Sequence, residues 1–312
     1  MRLRPVAAHR ATRRRVPTGA TSLCLFAAFL LVCTTDLPPA GAVPGAARTT
    51  PLHASSRGEW TPVTFVHGVV AVERRVYRLG DGHAVTMYRF EANQVRFALH
   101  TGSLDPPGVA SHVGPAGAPW ISPIETPHLV AAFNGGFMVA TGSGGFEVNR
   151  RVFVALQGGV ESLVINSDGS AEVGSWGCGV PLGRKSVVSV RQNLPALVSN
   201  GRLSPNIGDV NEWGATENGV PLQPRSALGI DRHGNLVYAA SMASFPVDIG
   251  VALQAAGVFQ AMELDINPGW VQMDSATRPG GPLVAGIPSQ TLPSNQYELG
   301  WTRDFITVMA RK

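Results

Sequence analysis

The chain has 312 residues, of which 44% are hydrophobic and 15% charged, with a formal net charge of +4. That length and composition describe one large or two small globular domains whose core needs no disulfide or metal staple. Residues 1–42 hold 6 of the 25 basic groups and 1 of the 21 acidic ones, leaving 19 basic against 20 acidic beyond them, so no basic surface remains to argue for a nucleic-acid partner.

In chain order the first element is a leader. Arg2, Arg4, Arg10 and Arg13 to Arg15 precede an apolar run from Ala20 to Cys33, followed by Ala40-Gly41-Ala42. This is the charged, apolar and small-residue order of a secretory signal, and the run is shorter than the ~20 residues of a spanning helix. Residues 1–42 are therefore read as a secretory signal, or as an uncleaved N-terminal anchor. The expected location is secreted or extracytoplasmic, with membrane contact only through that segment. Residues 43–62, rich in Ala, Pro, Thr, Ser and Gly, read as a flexible linker. Cys24 and Cys33 lie in the leader, which leaves Cys178 alone in the rest of the chain. It is expected to be a packed, inert thiol between Trp176 and Val180, with no disulfide framework.

From residue 63 to 312 the pattern is that of short strands. Ala84–Phe90 alternates, Val95–Leu99 is extended, and Leu129–Phe133 is an apolar run that stops at Asn134-Gly135-Gly136. Ser167-Asp168-Gly169 and Arg232-His233-Gly234 each separate two strand-like runs and predict hairpins. The best helix signal spans Asp248 to Ala256, with Asp248 as its cap and Gly257 as its stop. Strand, helix and strand from Asn235 to Ile266 predict a crossover that leaves the strand ending at Asp265 central and buried, its carboxyl end opening onto a site. Phe305–Ala310 reads as a last strand. The expected fold is an α+β, β-rich single domain with a mixed sheet, short hairpins and few helices.

Phosphate loops with lysine, HExxH, paired CxxC and GxSxG elbows are all missing. The histidines at 67, 83, 100, 112, 128 and 233 lack tight metal spacing and read as surface or turn residues. No metal site and no cofactor is implied, and a divalent cation is compatible with the sequence. Three loop-end clusters remain. Asn134-Gly135-Gly136 follows a buried strand, where glycines admit a ligand to the backbone or simply build a tight turn. Arg225 opens a strand with a planar fork suited to phosphate, or to a structural pair. Glu263 and Asp265 stand two apart on one strand face, roughly 6.5–7 Å along it. Such a spacing lies in the range of two glycosidase carboxylates, roughly 5–9.5 Å, yet Asp265 before Asn267-Pro268-Gly269 is equally good turn chemistry.

Taken in order, Asn134 to Phe137, Ala155 to Gly177, Arg191 to Gly201, Arg225 to Ala240 and Leu264-Asp265 resemble the phosphodiester glycosidase family over about residues 80–312. The resemblance implies a glycan or sugar-phosphate substrate. It implies Asp265 as base or nucleophile, Arg225 as stabiliser of the leaving phosphate, Glu263 as a supporting carboxylate, and Asn134, Gly135 and Gly136 as substrate-binding groups. The chain departs from the family where Ile266-Asn267-Pro268-Gly269-Trp270 replaces a glycine run after the aspartate. Pro268 offers no N–H to a phosphate, so Asn267 and Trp270 become candidate sugar contacts. The implied function is an exported hydrolase that cleaves a sugar from a phosphodiester-linked glycoconjugate. The alternative is a non-catalytic glycan-binding or structural envelope protein on the same scaffold.

Overall fold

Alternation builds the central sheet. In Ala84–Phe90, Val85 and Met87 enter one core while Tyr88 and Phe90 enter another, so both faces of the strand are covered. The computed structural model describes residues 54–56, 58–108, 118–183, 186–214 and 220–312; the leader and most of the linker lie outside that set. The central sheet runs in the order Ala54–Ser56, Val69–Leu79, Ala84–Phe90, Leu236–Ser244, Gln223–Asp231, Val258–Ile266, Ala196–Ser199 and Arg202–Leu203. Thr61–Val66 pairs with Val69–Leu79 beside that path.

Two smaller sheets complete the β structure. One orders Ala171–Ser175, Glu161–Asn166, Val187–Gln192, Phe146–Val148 and Arg151–Val154; the other orders Val284–Ala285, Met273–Ser275, Leu129–Asn134, Phe305–Ala310 and Val95–His100. The main core gathers Tyr238, Met262 and Leu264 of the central sheet against Phe133 and Ile306 of one small sheet and Phe146 and Leu163 of the other. On the opposite face, Val247, Ile249 and Leu253 of the helix Pro246–Ala255 pack with Trp213 on Val85, Met87 and Ala227. The fold is thus the expected β-rich α+β domain.

The crossover takes a particular form. Leu236–Ser244 and Val258–Ile266 both pair antiparallel with Gln223–Asp231, so they run in the same direction with that strand between them. The mixed sheet expected from the crossover is corrected: among the described strands every pairing is antiparallel, because Gln223–Asp231 lies between the two strands that the crossover joins. The helix begins earlier than its sequence signal. Pro246 opens it, where a missing N–H costs nothing, and the Asp248 carboxylate reaches back to accept from the Phe245 N–H at 3.0 Å. Gly257, with φ of 83°, ends it as expected.

Two expectations are corrected. Cys178 is exposed in a turn and is disulfide-bonded rather than a packed free thiol. The bulk that was expected to pack it belongs instead to Val180, which is buried while the two glycines flanking Cys178 keep the turn at the surface. His100 is fully buried rather than at the surface: Nδ1 faces the Ala118 carbonyl at 2.9 Å and Nε2 faces Glu125 Oε1 at 2.9 Å, with the ring stacked on Phe305. Burial acts to raise the Glu125 carboxyl, but the His100 and Ser122 hydrogen bonds and the His100 charge outweigh it and hold the group at about 2.

Candidate functional site

The strand Val258–Ile266 is buried on both faces from Ala261 onward, which places its acidic residues deep in the molecule. A bulge then separates the two carboxylates. Ala227 pairs with Glu263 and Arg225 with Ile266, so Leu264 and Asp265 together stand opposite Ser226. Bulges of this kind re-aim a side chain, and the partners differ accordingly. Glu263 Oε1 meets Arg225 Nη1 at 2.8 Å, with both side chains 0% exposed. Asp265 Oδ2 meets Arg303 Nη2 at 2.8 Å, with side chains 6% and 7% exposed. Asp265 is the carboxylate that retains a path to solvent.

Arg225 is fully engaged inside the protein. Its guanidinium donates to the carbonyls of Ser244 (3.2 Å), Trp213 (2.7 Å) and Pro221 (3.3 Å) besides Glu263. The cation beside Asp265 is Arg303, which also donates to the Gly136 carbonyl at 3.0 Å and lies 4.9 Å over the Trp270 ring. Its Nε has no partner among the described residues. Trp270 in turn lies 5.5 Å from Trp301, both half-buried, so an aromatic wall stands next to the ion pair.

The glycines after Leu129–Asn134 admit the protein's own ionic groups. A Cβ on Gly135 would lie 2.0 Å from Asp304 Oδ2, and one on Gly136 would lie 2.9 Å from the Arg191 guanidinium carbon. Arg191 Nε donates to Asp304 Oδ2 at 2.9 Å, and the Gly136 N–H donates to the same oxygen at 3.1 Å. Asn193 spans the gap, donating from Nδ2 to the Glu263 carbonyl while its Oδ1 faces the Phe137 N–H. Asn134 is saturated: Oδ1 accepts from the Tyr238 hydroxyl (2.7 Å) and Gln272 N–H (3.2 Å), and Nδ2 donates to Ser226 Oγ (2.8 Å) and the Gly135 carbonyl (3.0 Å). Ser226 Oγ then donates to the Asp265 carbonyl at 2.7 Å, and the Asp265 N–H donates to the Gly135 carbonyl at 3.0 Å. Asn134 and Gly135 thus fix the backbone on either side of Asp265.

The turn after Asp265 is built from Asn267, Pro268 and Gly269. Asn267 takes φ of 82°, a left-handed conformation that Asn tolerates better than most residues. Its carbonyl accepts from Trp270 and Val271, which swings Trp270 back over Arg303. Burial pushes the Asp265 carboxyl up to about 7 against the opposing pull of Arg303, and pushes Glu263 up to about 7 against Arg225. Asp105, also buried, is raised by desolvation and then by the Asp304 charge. Among the described residues, no group of three or more His, Cys, Asp and Glu side chains is arranged to hold a metal ion, and no helix is long and apolar enough to cross a membrane.

The structure thus joins Asn134, Gly135, Gly136, Asp265, Asn267 and Trp270 around one point and sets Arg225 with Glu263 behind it in the core. Arg303, Asp304, Arg191 and Asn193 escaped the sequence reading. The first two are placed by strand pairing, for which the sequence carries no local signal: Phe305 sits opposite Asn134, so the residues just before Phe305 flank Gly135.

A further buried acid adjoins this network. Asp274 is fully buried and accepts from Gln272 Nε2 (2.6 Å) and Gln290 Nε2 (2.8 Å). Burial pushes its carboxyl up to about 7, with those two amides opposing. A carboxyl raised above its unfolded value of about 3.9 contributes stability in full below that value and loses it as the pH climbs through the folded one. The melting temperature is therefore expected to fall between pH 5 and pH 8, and to fall less in Asp274→Asn. Equal slopes in the two proteins, measured by thermal denaturation across that range, would refute this assignment.

Residues 127–265, from just before Leu129–Asn134 to Asp265 itself, match the family model of the phosphodiester glycosidases. The resemblance seen in the sequence is borne out over these residues. Among solved structures, the chain is similar to the zebrafish N-acetylglucosamine-1-phosphodiester alpha-N-acetylglucosaminidase catalytic domain auto-inhibited by its pro-peptide. That match has 15% identity and a TM-score of 0.51 and covers 83% of this chain and 89% of that one, which makes it a likeness of fold. A hypothetical protein from Synechocystis (13% identity, TM-score 0.46) is matched over 80% of this chain and 64% of its own. A putative exported protein from Burkholderia pseudomallei (14%, 0.29) is matched over 83% and 66%. No curated protein matches the chain.

Proposed function

We propose that the protein is an exported hydrolase that cleaves a sugar from a phosphodiester-linked glycoconjugate, with Asp265 as the reacting carboxylate. The observation that carries this reading is the Asp265–Arg303 pair beside Trp270, at the end of the strand where the family match stops. The bond from the anomeric carbon to the phosphate oxygen breaks, and that oxygen leaves with the electron pair. The anomeric carbon gains an oxygen from water, either by direct attack with Asp265 taking the water's proton, or through a glycosyl ester of Asp265 that water then opens. A phosphate needs little help from a general acid to leave. The cation that meets it is Arg303, whose Nε is without a partner, because the Arg225 donors are spent on carbonyls and Glu263. Trp270 and Trp301 offer the sugar a stacking surface. The leader implies export, and the substrate belongs to envelope or extracellular glycans.

The test is release of free sugar from a panel of sugar-1-phosphodiesters by the full chain, with Asp265→Asn as control. Release by the parent protein and none by the variant is the expected result; no release from any member of the panel refutes the reading. The Trp270–Trp301 wall favours one other reading, a glycan-binding module without turnover. That reading predicts saturable glycan binding that is lost in Trp270→Ala and kept in Asp265→Asn.

A further inference from the structure

The mouth of the candidate site has an apolar rim, assembled from loops that are far apart in the chain. The Leu104 N–H donates to the Thr302 carbonyl at 3.2 Å, the Ser103 N–H to the Trp301 carbonyl at 2.9 Å, and the Trp301 N–H to the Pro119 carbonyl at 2.7 Å. Asp105 joins the loop that follows Gly136, since its Oδ1 accepts from the Val139 N–H at 3.2 Å. Trp270 stands 5.5 Å from Trp301 and beneath it lies Arg303, the partner of Asp265. These contacts carry the chain at Leu104, Trp120, Met138 and Leu299 to the edge of the Trp270–Trp301 wall. The four residues are 75%, 46%, 44% and 72% exposed.

Exposed charge is missing from this rim. Residues 102–108, 118–124, 136–142, 266–270 and 299–303 hold two charged side chains, Asp105 and Arg303, and both are buried. The chain as a whole is 15% charged. One exposed leucine needs no explanation, but a cluster of exposed apolar side chains without charge beside a site marks a surface that is covered in use. Exposed charge returns at Glu298, one residue before Leu299. Trp120, Trp270 and Trp301 each combine an apolar body with an indole N–H, a residue type suited to the border between an apolar group and water. The chemistry of the site says what covers the rim. A phosphodiester has two ester arms, and the proposed reaction sets one arm, the sugar, at the Trp270–Trp301 wall and the phosphate at Arg303. The other arm leaves the phosphate across the surface around that wall, which is apolar and uncharged.

We infer that this rim takes the second arm of the phosphodiester and that the arm is a lipid alcohol, so that the substrate class is a sugar joined through phosphate to a long apolar chain. The inference rests on the proposed glycosidase reading and adds to it the identity of the leaving group. The bond between the anomeric carbon and the phosphate oxygen breaks, water supplies the oxygen that the sugar gains, and the lipid leaves as its phosphate monoester. A glycan carrying further phosphates would need cations along its path, and the described rim exposes none.

The experiment has two arms. Titration calorimetry of the full chain compares decyl phosphate, below its micelle concentration, with ethyl phosphate. Decyl phosphate is expected to bind about tenfold or more tightly, and the Leu104→Gln/Trp120→Gln double variant to lose most of that advantage. Val152→Gln, at an exposed apolar residue of the strand Arg151–Val154, should keep it. Equal affinities for the two phosphates, an undiminished advantage in the rim variant, or an equal loss in Val152→Gln overturns the inference. So does a parent dimer that the rim variant splits in sedimentation, since the rim would then seat a second copy of the chain. The other arm compares sugar release from the decyl and ethyl phosphodiesters of one sugar. The decyl substrate should show the lower KM at similar kcat, and the rim variant should raise that KM and leave the ethyl substrate unchanged. Equal KM values, or faster release when a hexose replaces the decyl chain, overturn the lipid arm and leave the glycosidase reading standing. Absence of release from every substrate refutes the glycosidase reading, while the isotherms still report on the rim, so the two failures are distinguishable.

Discussion

Arg225→Ala is expected to cost about 3–5 kcal/mol of stability, the scale for removing one partner of a buried ion pair. The Arg225 and Glu263 side chains are both 0% exposed, so the truncation strands a carboxylate in the core. It also leaves the carbonyls of Ser244, Trp213 and Pro221 without the donor that now meets each of them. A domain of ordinary stability, about 5–15 kcal/mol, would lose a large share of it. Arg225→Lys should recover little, because a single ammonium cannot reach four acceptors set around a planar fork. Glu263→Gln should cost less than Arg225→Ala, since it removes the buried negative charge and keeps an oxygen facing Arg225. Denaturant titration decides the matter. An Arg225→Ala protein with an unchanged midpoint and a raised KM would mean that this arginine serves substrate and not the core.

The position of Arg225 also marks where sequence reasoning reached its limit. Asp265 at the end of a central buried strand was legible, because alternation, the crossover and the abrupt turn at Pro268 all point to one strand end. The loop at Asn134-Gly135-Gly136 was legible as a close approach, though what approaches is Asp304 and Arg191. The bulge was not legible. Two carboxylates two residues apart look like a pair on one face, and only the register of Gln223–Asp231 against Val258–Ile266 turns Asp265 toward Arg303 while Glu263 stays with Arg225. Arg303 carries no motif of its own. It reaches the site because Phe305–Ala310 pairs with Leu129–Asn134, a long-range contact that local pattern cannot supply. His100 was misread for a similar reason, since its partner Glu125 and its stacking ring Phe305 come from other segments.

Asp265→Asn is expected to lower turnover by about 10²–10⁴-fold, the range for removing a positioned acid–base group, with little loss of stability. The amide keeps the shape of the carboxylate and can still face Arg303, but it can neither take a proton from water nor attack the anomeric carbon. The pH profile then tests the role. Burial sets the Asp265 carboxyl at about 7, with Arg303 opposing that rise. A base or nucleophile works ionised, so kcat/KM should climb as the pH rises through this value. Arg303→Gln removes the opposing cation and should move that limb to higher pH, besides lowering kcat through the loss of the charge that meets the leaving phosphate. The sign separates the alternatives. Were Asp265 a general acid, activity would fall above about 7, and Arg303→Gln would extend the active range upward. Were it a turn residue alone, Asp265→Asn would leave both the rate and its pH dependence where they were, and the wall formed by Trp270 and Trp301 would belong to a binding site without chemistry.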